Sequence, residues 1–187
     1  MCAVNWDDAK AFCAWLTERE RKAGKLPAGR SYRLPTDLEW SLAVGLTNET
    51  GNTPKERDRR TKGVYPWGTE WPPPKGAGNY GGTEARNEIY PDKWATIAGY
   101  RDDYARTAPV GSFNPNQYGL YDLSGNLWEW CEDSYDGLTE PRFLRGGSWA
   151  YDVPDSLLSS YRYCYKNWRG RGIGGGFRIV LTMDAMK

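Results

Sequence analysis

From Asp7 the apolar positions Ala9, Phe12, Cys13 and Leu16, with Trp15 beside them, recur at the spacing of an α-helix, while Lys10, Glu18, Arg19, Arg21 and Lys22 fill the other face. This predicts an amphipathic helix ending near Gly24. Tyr32 to Leu34 reads as a short extended piece. Pro35 separates it from Thr36 to Glu39, whose T-x-x-E spacing is a capping box that opens a second helix through Trp40, Leu42, Ala43 and Val44. Gly45 weakens that helix, so it should stop around Leu46. Between Thr47 and Thr107 the periodicity dissolves into Gly, Pro, Asn and charge, and loops are expected, pinned by buried Trp and Tyr.

Order returns at Gly119. Leu120, Tyr121 and Leu123 lead into the turn Ser124, Gly125 and Asn126, after which Leu127 to Cys131 reads as a strand of bulky side chains. Phe143 to Arg145 and Phe177 to Leu181 are two further strand candidates, each beside glycines that let backbones approach closely. A small antiparallel sheet follows, and with it an α+β chain rich in loops.

Composition narrows the chemistry. The 187 residues fit one domain, 1–187, whose 10 Trp and 13 Tyr supply burial that aliphatic residues supply elsewhere. Twenty-five basic residues against 24 acidic ones remove the electrostatic case for nucleic acid or an anionic membrane as partner. The basic run from Lys55 to Lys62 is mixed with acids and reads as a solvated loop. No apolar run is long enough to span a membrane and no signal peptide is visible, so a soluble, cytoplasmic protein is expected. Cys2, Cys13, Cys131 and Cys164 lack zinc-site spacing and are too sparse for a disulfide framework. The absence of histidine excludes Ser/His/Asp and Cys/His catalysis and any His-ligated metal.

The ordered segments VNWDDA (4–9), FCAWL (12–16), RLPTDLEW (33–40), YPWG (65–68), TAPV (107–110), YGLYDLSGNLWEW (118–130), RGGSW (145–149) and GFR (176–178) resemble the formylglycine-generating enzyme family, also called the sulfatase-modifying-factor domain. The resemblance implies a variant C-type lectin-like fold with two helices, small antiparallel sheets and many long loops. Catalytic members bind copper through two cysteines, three and eight residues beyond the serine of the Arg-Gly-Gly-Ser motif. Counted from Ser148, those positions hold Tyr151 and Ser156, so no copper is expected. An iron-dependent branch of the family holds its metal by histidines, which this chain lacks.

The resemblance also implies structural calcium. One site would use the Asp122 side chain, the Gly125 and Leu127 carbonyls and Glu129; a second would use Asn79, the Tyr80 carbonyl, Asp102 and the Tyr104 carbonyl. The plainer reading is that these side chains cap turns and loop amides.

Residues 150–175, between two motifs that look fixed by the fold, carry Tyr151, Asp152, Tyr161, Tyr163, Tyr165, Asn167 and Trp168. Aromatics with Asp and Asn beside them make a ligand-binding surface, as in antibody paratopes. The plainer reading is a strand whose tyrosines pack inward while Arg162 points out, and Trp149 reads as core. The arrangement resembles the variable proteins of diversity-generating retroelements, where this region is diversified on a fixed scaffold. The sequence therefore points to a noncatalytic pseudoenzyme that binds a protein or other macromolecular ligand. Two alternatives stay open, a sulfatase-modifying-factor-like oxidoreductase and a structural or regulatory module of a larger protein.

Overall fold

The computed structural model describes residues 2–88, 95–138, 140–166, 169–172 and 174–182. Helix α1 runs Trp6–Lys22. Asn5 caps it, accepting from the Asp8 amide at 2.8 Å while its own N–H reaches the Asp8 carboxylate at 3.1 Å. The buried stripe is Ala9, Cys13 and Thr17, and Trp15 instead lies 52% exposed with Arg19 over its ring. Strand β1 (Ser31–Arg33) precedes α2 (Asp37–Val44), which opens with the Thr36 and Glu39 capping box and closes on left-handed Gly45, a residue earlier than the sequence indicated.

The stretch from 47 to 107 is not wholly loop. Two short helices lie in it, α3 (Pro54–Arg57) and α4 (Thr83–Glu88), each too brief for a periodic pattern to register. The expected aromatic pins are present: Tyr65 stacks on Trp67 at 4.8 Å, Trp67 meets Tyr80 edge-on at 5.0 Å, and the buried Tyr100 hydroxyl donates to the Gly78 carbonyl.

The remaining strands are β2 (Trp128–Ser134), β3 (Arg142–Arg145), β4 (Tyr163–Tyr165), β5 (Gly175–Gly176) and β6 (Val180–Thr182). They form a four-stranded sheet in the order β4-β3-β2-β5 and a two-stranded β1-β6 ribbon. The larger sheet is mixed, because β5 runs parallel to β2, where a purely antiparallel sheet was expected. Strand β2 is buried on both faces. Trp128 and Trp130 join Ala9, Cys13, Leu34, Leu144, Leu158 and Tyr161 in one core cluster, and Cys131 joins Trp40, Leu123 and Phe143 in another.

The two clusters are joined by charge. Asp37, at the first turn of α2, receives Arg57 Nε at 2.9 Å and Arg162 Nη2 at 2.9 Å, and pairs with Arg145 on its other oxygen. Arg162 also binds Glu49 at 2.7 and 2.8 Å and the Ser160 carbonyl at 2.8 Å. All three arginines are buried, which corrects two expectations. Arg162 points inward rather than out, and Arg57 leaves the basic run to reach Asp37. Burial pushes the Asp37 carboxyl up, but the arginines, Arg145 foremost, overcome this and hold it below its ordinary value.

Removing one member of a buried charge cluster leaves the others uncompensated. Asp37→Ala should therefore cost about 3–5 kcal/mol in urea denaturation. A loss of about 0.5 kcal/mol, as at an ordinary surface position, would show that the cluster carries no such burden.

Candidate functional site

The segment after β3 turns back over the tryptophan face of β2. Ser148 and Trp149 are buried at the end of the Arg145 motif, and Trp149 donates its amide to the Asn126 carbonyl at 3.1 Å. Tyr151 then meets Trp128 edge-on at 4.9 Å, and its carbonyl accepts from the Gly81 amide at 2.9 Å. Strand β4 adds Tyr163, 5.3 Å from Trp128, and Tyr165, 5.9 Å from Trp130. These five rings, with Trp149, Ser148 and the glycines at 172, 174 and 175, wall a cavity of about 360 Å³.

Of the ligand contacts expected from sequence, Tyr151, Tyr163 and Tyr165 come together in this wall, half-buried and packed against one another. Asp152 sits at the same turn, partly exposed, but outside the cavity lining, where its Cβ packs against Gly81. Tyr161 does not reach a free surface. It is 8% exposed, lies in the core against Trp128, and carries Arg59 4.5 Å over its ring. The reason is the chain turn at 160–162, which must aim Arg162 at Asp37 and so tucks its neighbour under the sheet. Asn167 and Trp168 lie outside the described residues.

Sequence reasoning passed over Trp128, Trp130 and Ser148 as site residues, reading the first two only as strand core. The signal was their i, i+2 spacing on one strand, which puts both rings on a single face. Neither a cysteine nor a charged side chain occurs among the described lining residues. Cys164 lines no part of the cavity and pairs across the sheet with Phe143. Burial, then the neighbouring Tyr163 hydroxyl, pushes the Tyr151 phenol well above its usual value, so it stays protonated.

The residues expected to hold calcium lie around the 122–127 turn. Gly125 is left-handed at φ 74°, and a Cβ there would stand 2.3 Å from the Asn79 carbonyl oxygen, so the turn and the 79–80 segment can meet only through glycine. Asn126 then ties the turn to Ala108 through both its side-chain oxygen (3.1 Å) and nitrogen (3.2 Å). At the first expected site the Glu129 carboxylate is already engaged by Arg178, at 2.6 and 2.7 Å, and by the Trp40 indole at 2.9 Å. Arg178 also binds the Asp122 carbonyl at 3.0 Å, while Asp122 Oδ1 has no hydrogen-bond partner. A cation there would have to share its ligands with a guanidinium.

The second site offers a better donor set. Asn79 Oδ1 is buried without a hydrogen bond and so is one oxygen of Glu84, while Asp102 accepts from the Tyr80 and Tyr104 amides at 2.8 and 3.0 Å. The Glu84 carboxylate in turn accepts from the Asp102 amide at 2.8 Å, bringing a second acidic group that the sequence reading did not include. Burial, and then Glu84 beside it, pushes the Asp102 carboxyl up to about 7. Hard oxygen donors with two carboxylates suit calcium.

The helices, the mixed sheet and the glycine-pinned turns together make a C-type lectin-like fold of the formylglycine-generating-enzyme kind. The family model of the sulfatase-modifying factor enzyme 1-like domain matches residues 1–183, and the chain belongs to this family. It is 33% identical over 150 residues to inactive C-alpha-formylglycine-generating enzyme 2 of Bos taurus, covering 78% of this chain and 37% of that protein. It is 36% identical over 130 residues to the formylglycine-generating enzyme of Thermomonospora curvata, covering 70% and 32%. The chain thus spans about a third of these relatives' length. Among solved structures, Treponema denticola variable protein 1 is 22% identical with a TM-score of 0.56, covering 96% of this chain and 69% of that one. PvdO from Pseudomonas aeruginosa is 24% identical with a TM-score of 0.57, covering 95% and 60%. These two likenesses show the fold alone. No helix among the described residues is long and apolar enough to cross a membrane.

The division of the tyrosines is open to measurement. Tyr161→Ala should lose about 3–5 kcal/mol of unfolding free energy, as large aromatic truncations in a core do. Asp152→Ala should stay within about 0.5 kcal/mol. Equal losses by denaturant titration would put both side chains in the same environment and contradict the packing described.

Proposed function

We propose that the chain is a noncatalytic ligand-binding member of the family, with the aromatic cavity as its binding site and the exposed described positions between 150 and 175 selecting the partner. One observation carries this. Where the family resemblance calls for copper-binding thiols, the chain has Tyr151 and Ser156, and no cysteine lies among the described residues of the cavity. The sequence similarity to a protein named as an inactive formylglycine-generating enzyme is compatible with the same reading. The near-balanced charge disfavours nucleic acid, so a protein or another macromolecule presenting an apolar group is the partner class.

The finer reading is a retroelement variable protein. Its diversified positions would be those whose side chains are free to change without repacking the core. Val153, Asp155, Lys166 and Arg169 are exposed and Asp152 is partly so, whereas Tyr151, Tyr163 and Tyr165 interlock with Trp128 and Trp130 and would form the constant floor. Calcium, bound through Asn79, Asp102 and the Tyr80 and Tyr104 carbonyls, would stiffen the loop that carries Gly81 beneath Tyr151.

The catalytic question is decided by offering the protein a cysteine-containing peptide, copper and oxygen. No consumption of the thiol is expected, and multiple turnovers would overturn the noncatalytic reading. DNA flanking the coding sequence should hold a reverse transcriptase gene and a near-copy of the 3' end that differs mainly at adenines. An ordinary context would remove the retroelement reading while leaving ligand binding intact.

Calcium returned to chelated protein should raise the melting temperature, since a ligand that binds only the folded state stabilises it by mass action. The shift should vanish in Asp102→Asn and persist in Glu129→Gln. No shift at millimolar calcium would remove the metal from the proposal.

A further inference from the structure

We propose that the five-ring cavity is built for an uncharged planar ring that carries a hydrogen-bond acceptor, the chemistry of an aromatic amide. This rests on the reading of the cavity as a ligand site and names what enters it.

Trp128 lacks the ring N–H partner that four other indoles have. Trp6, Trp40, Trp67 and Trp130 each donate the ring N–H to an oxygen: the Cys131 carbonyl at 2.8 Å, Glu129 at 2.9 Å, the Glu70 carbonyl at 2.9 Å and the Val4 carbonyl at 3.0 Å. Trp128 is 3% exposed, and its Nε1 has no hydrogen-bond partner. The Tyr151 hydroxyl stands close enough to interact with the Trp128 side chain, but the indole N–H makes no hydrogen bond of normal geometry to it, so this donor is at best weakly engaged. Ser148, 1% exposed and in the same wall, leaves its hydroxyl unpartnered too. Leaving a buried polar group unsatisfied destabilises the fold. Two such groups close together in one wall point to a polar partner at that spot.

Both groups meet at a glycine. A Cβ at Gly174 would lie 3.3 Å from Ser148 Oγ and 3.8 Å from Trp128 Cδ1, the ring carbon bonded to Nε1. The Gly174 carbonyl is itself held by the Trp128 amide at 2.8 Å, so the missing side chain, not a missing backbone contact, leaves the space beside the two orphan atoms. A ligand oxygen reaching that space would accept from the indole and the serine together, while its ring lay along Tyr163, Tyr165 and Trp130.

Charge is excluded by what the wall lacks. No carboxylate, guanidinium or ammonium occurs among its described residues, so a charged ligand would lose its hydration without gaining a counter-charge. Aromatic faces attract cations, but the inward donors here present positive hydrogen. At about 360 Å³ the cavity holds one ring or a fused pair.

Calorimetric titration of the chain with benzamide, toluene, benzoate and benzyltrimethylammonium tests this. Benzamide should bind saturably, and the other three at least tenfold more weakly. Trp128→Phe keeps a ring and deletes the donor; it should bring benzamide down to the affinity of toluene and leave toluene unchanged. Should that variant fold poorly, Ser148→Ala removes only an unpartnered hydroxyl and should weaken benzamide severalfold. Gly174→Val should abolish binding of every probe. Unchanged benzamide affinity in both donor variants, or no benzamide binding to the wild-type chain, would overturn the assignment. Equal or tighter binding of benzoate or the quaternary ammonium would sink the uncharged-ring class while keeping the cavity as a ligand site. Should none of the four probes bind, the cavity itself fails as a ligand site, whereas turnover of the cysteine peptide would overturn only the noncatalytic reading.

Discussion

The Asp37 carboxylate, held by three buried arginines, is the interaction on which the rest of the molecule depends. It joins parts of the chain that lie far apart in sequence: the start of α2, the end of α3, the last residue of β3 and the turn before β4. Each arginine also fixes what lies next to it. Arg145 sets the entry to Ser148, and Arg162 sets the entry to Tyr163, so both walls of the cavity hang from one carboxylate. Charges this deep gain over water only when their hydrogen bonds are nearly complete. Here Ser41, Glu49 and the Ser159 and Ser160 carbonyls supply most of the remainder.

With so little regular structure, the loops need their own fasteners, and the tryptophans act as such. An indole buries a large apolar area and still has one N–H to spend on a carbonyl far along the sequence. Trp130 reaches Val4 and Trp6 reaches Cys131, which locks the start of α1 against β2 from both directions. Trp40 reaches Glu129, whose carboxylate also pairs with Arg178 and so ties α2, β2 and the segment before β6 together. Trp128 stands outside this scheme, and the site lies at that exception.

What was legible in the sequence follows from range. Local signals were read well: the capping box at Thr36 and Glu39, the helical stripe of α1, and the bulky alternation at 128–131 all depend on neighbours within a few residues. The inward turn of Arg162 and the capture of Arg57 depend on Asp37, which is distant in sequence, so periodicity could not disclose them. The same holds for Tyr161, whose position in the core follows from its neighbour's charge and not from its own type. The second acidic group beside Asp102 escaped notice because Glu84 belongs to a helix of only six residues. Motif resemblance supplied the fold correctly, since the family model spans nearly the whole chain, but it offered Glu129 as a metal ligand without disclosing that Arg178 engages that carboxylate.

Interlocking aromatics bear on how such a scaffold could change its partner. A tyrosine packed against Trp128 cannot be exchanged freely, because a smaller side chain would leave a void and a charged one would be stranded in an apolar wall. Variation is therefore least costly at exposed positions such as Val153, Asp155 and Lys166 and most costly at the packed tyrosines. Under the proposed function, a floor of this kind would supply a common apolar seat while the exposed positions would decide which molecule presents its ring to it. Affinity would then come from the preorganised floor and discrimination from a few exposed positions, a separation that a flexible loop carrying both tasks would lose to the entropy of ordering.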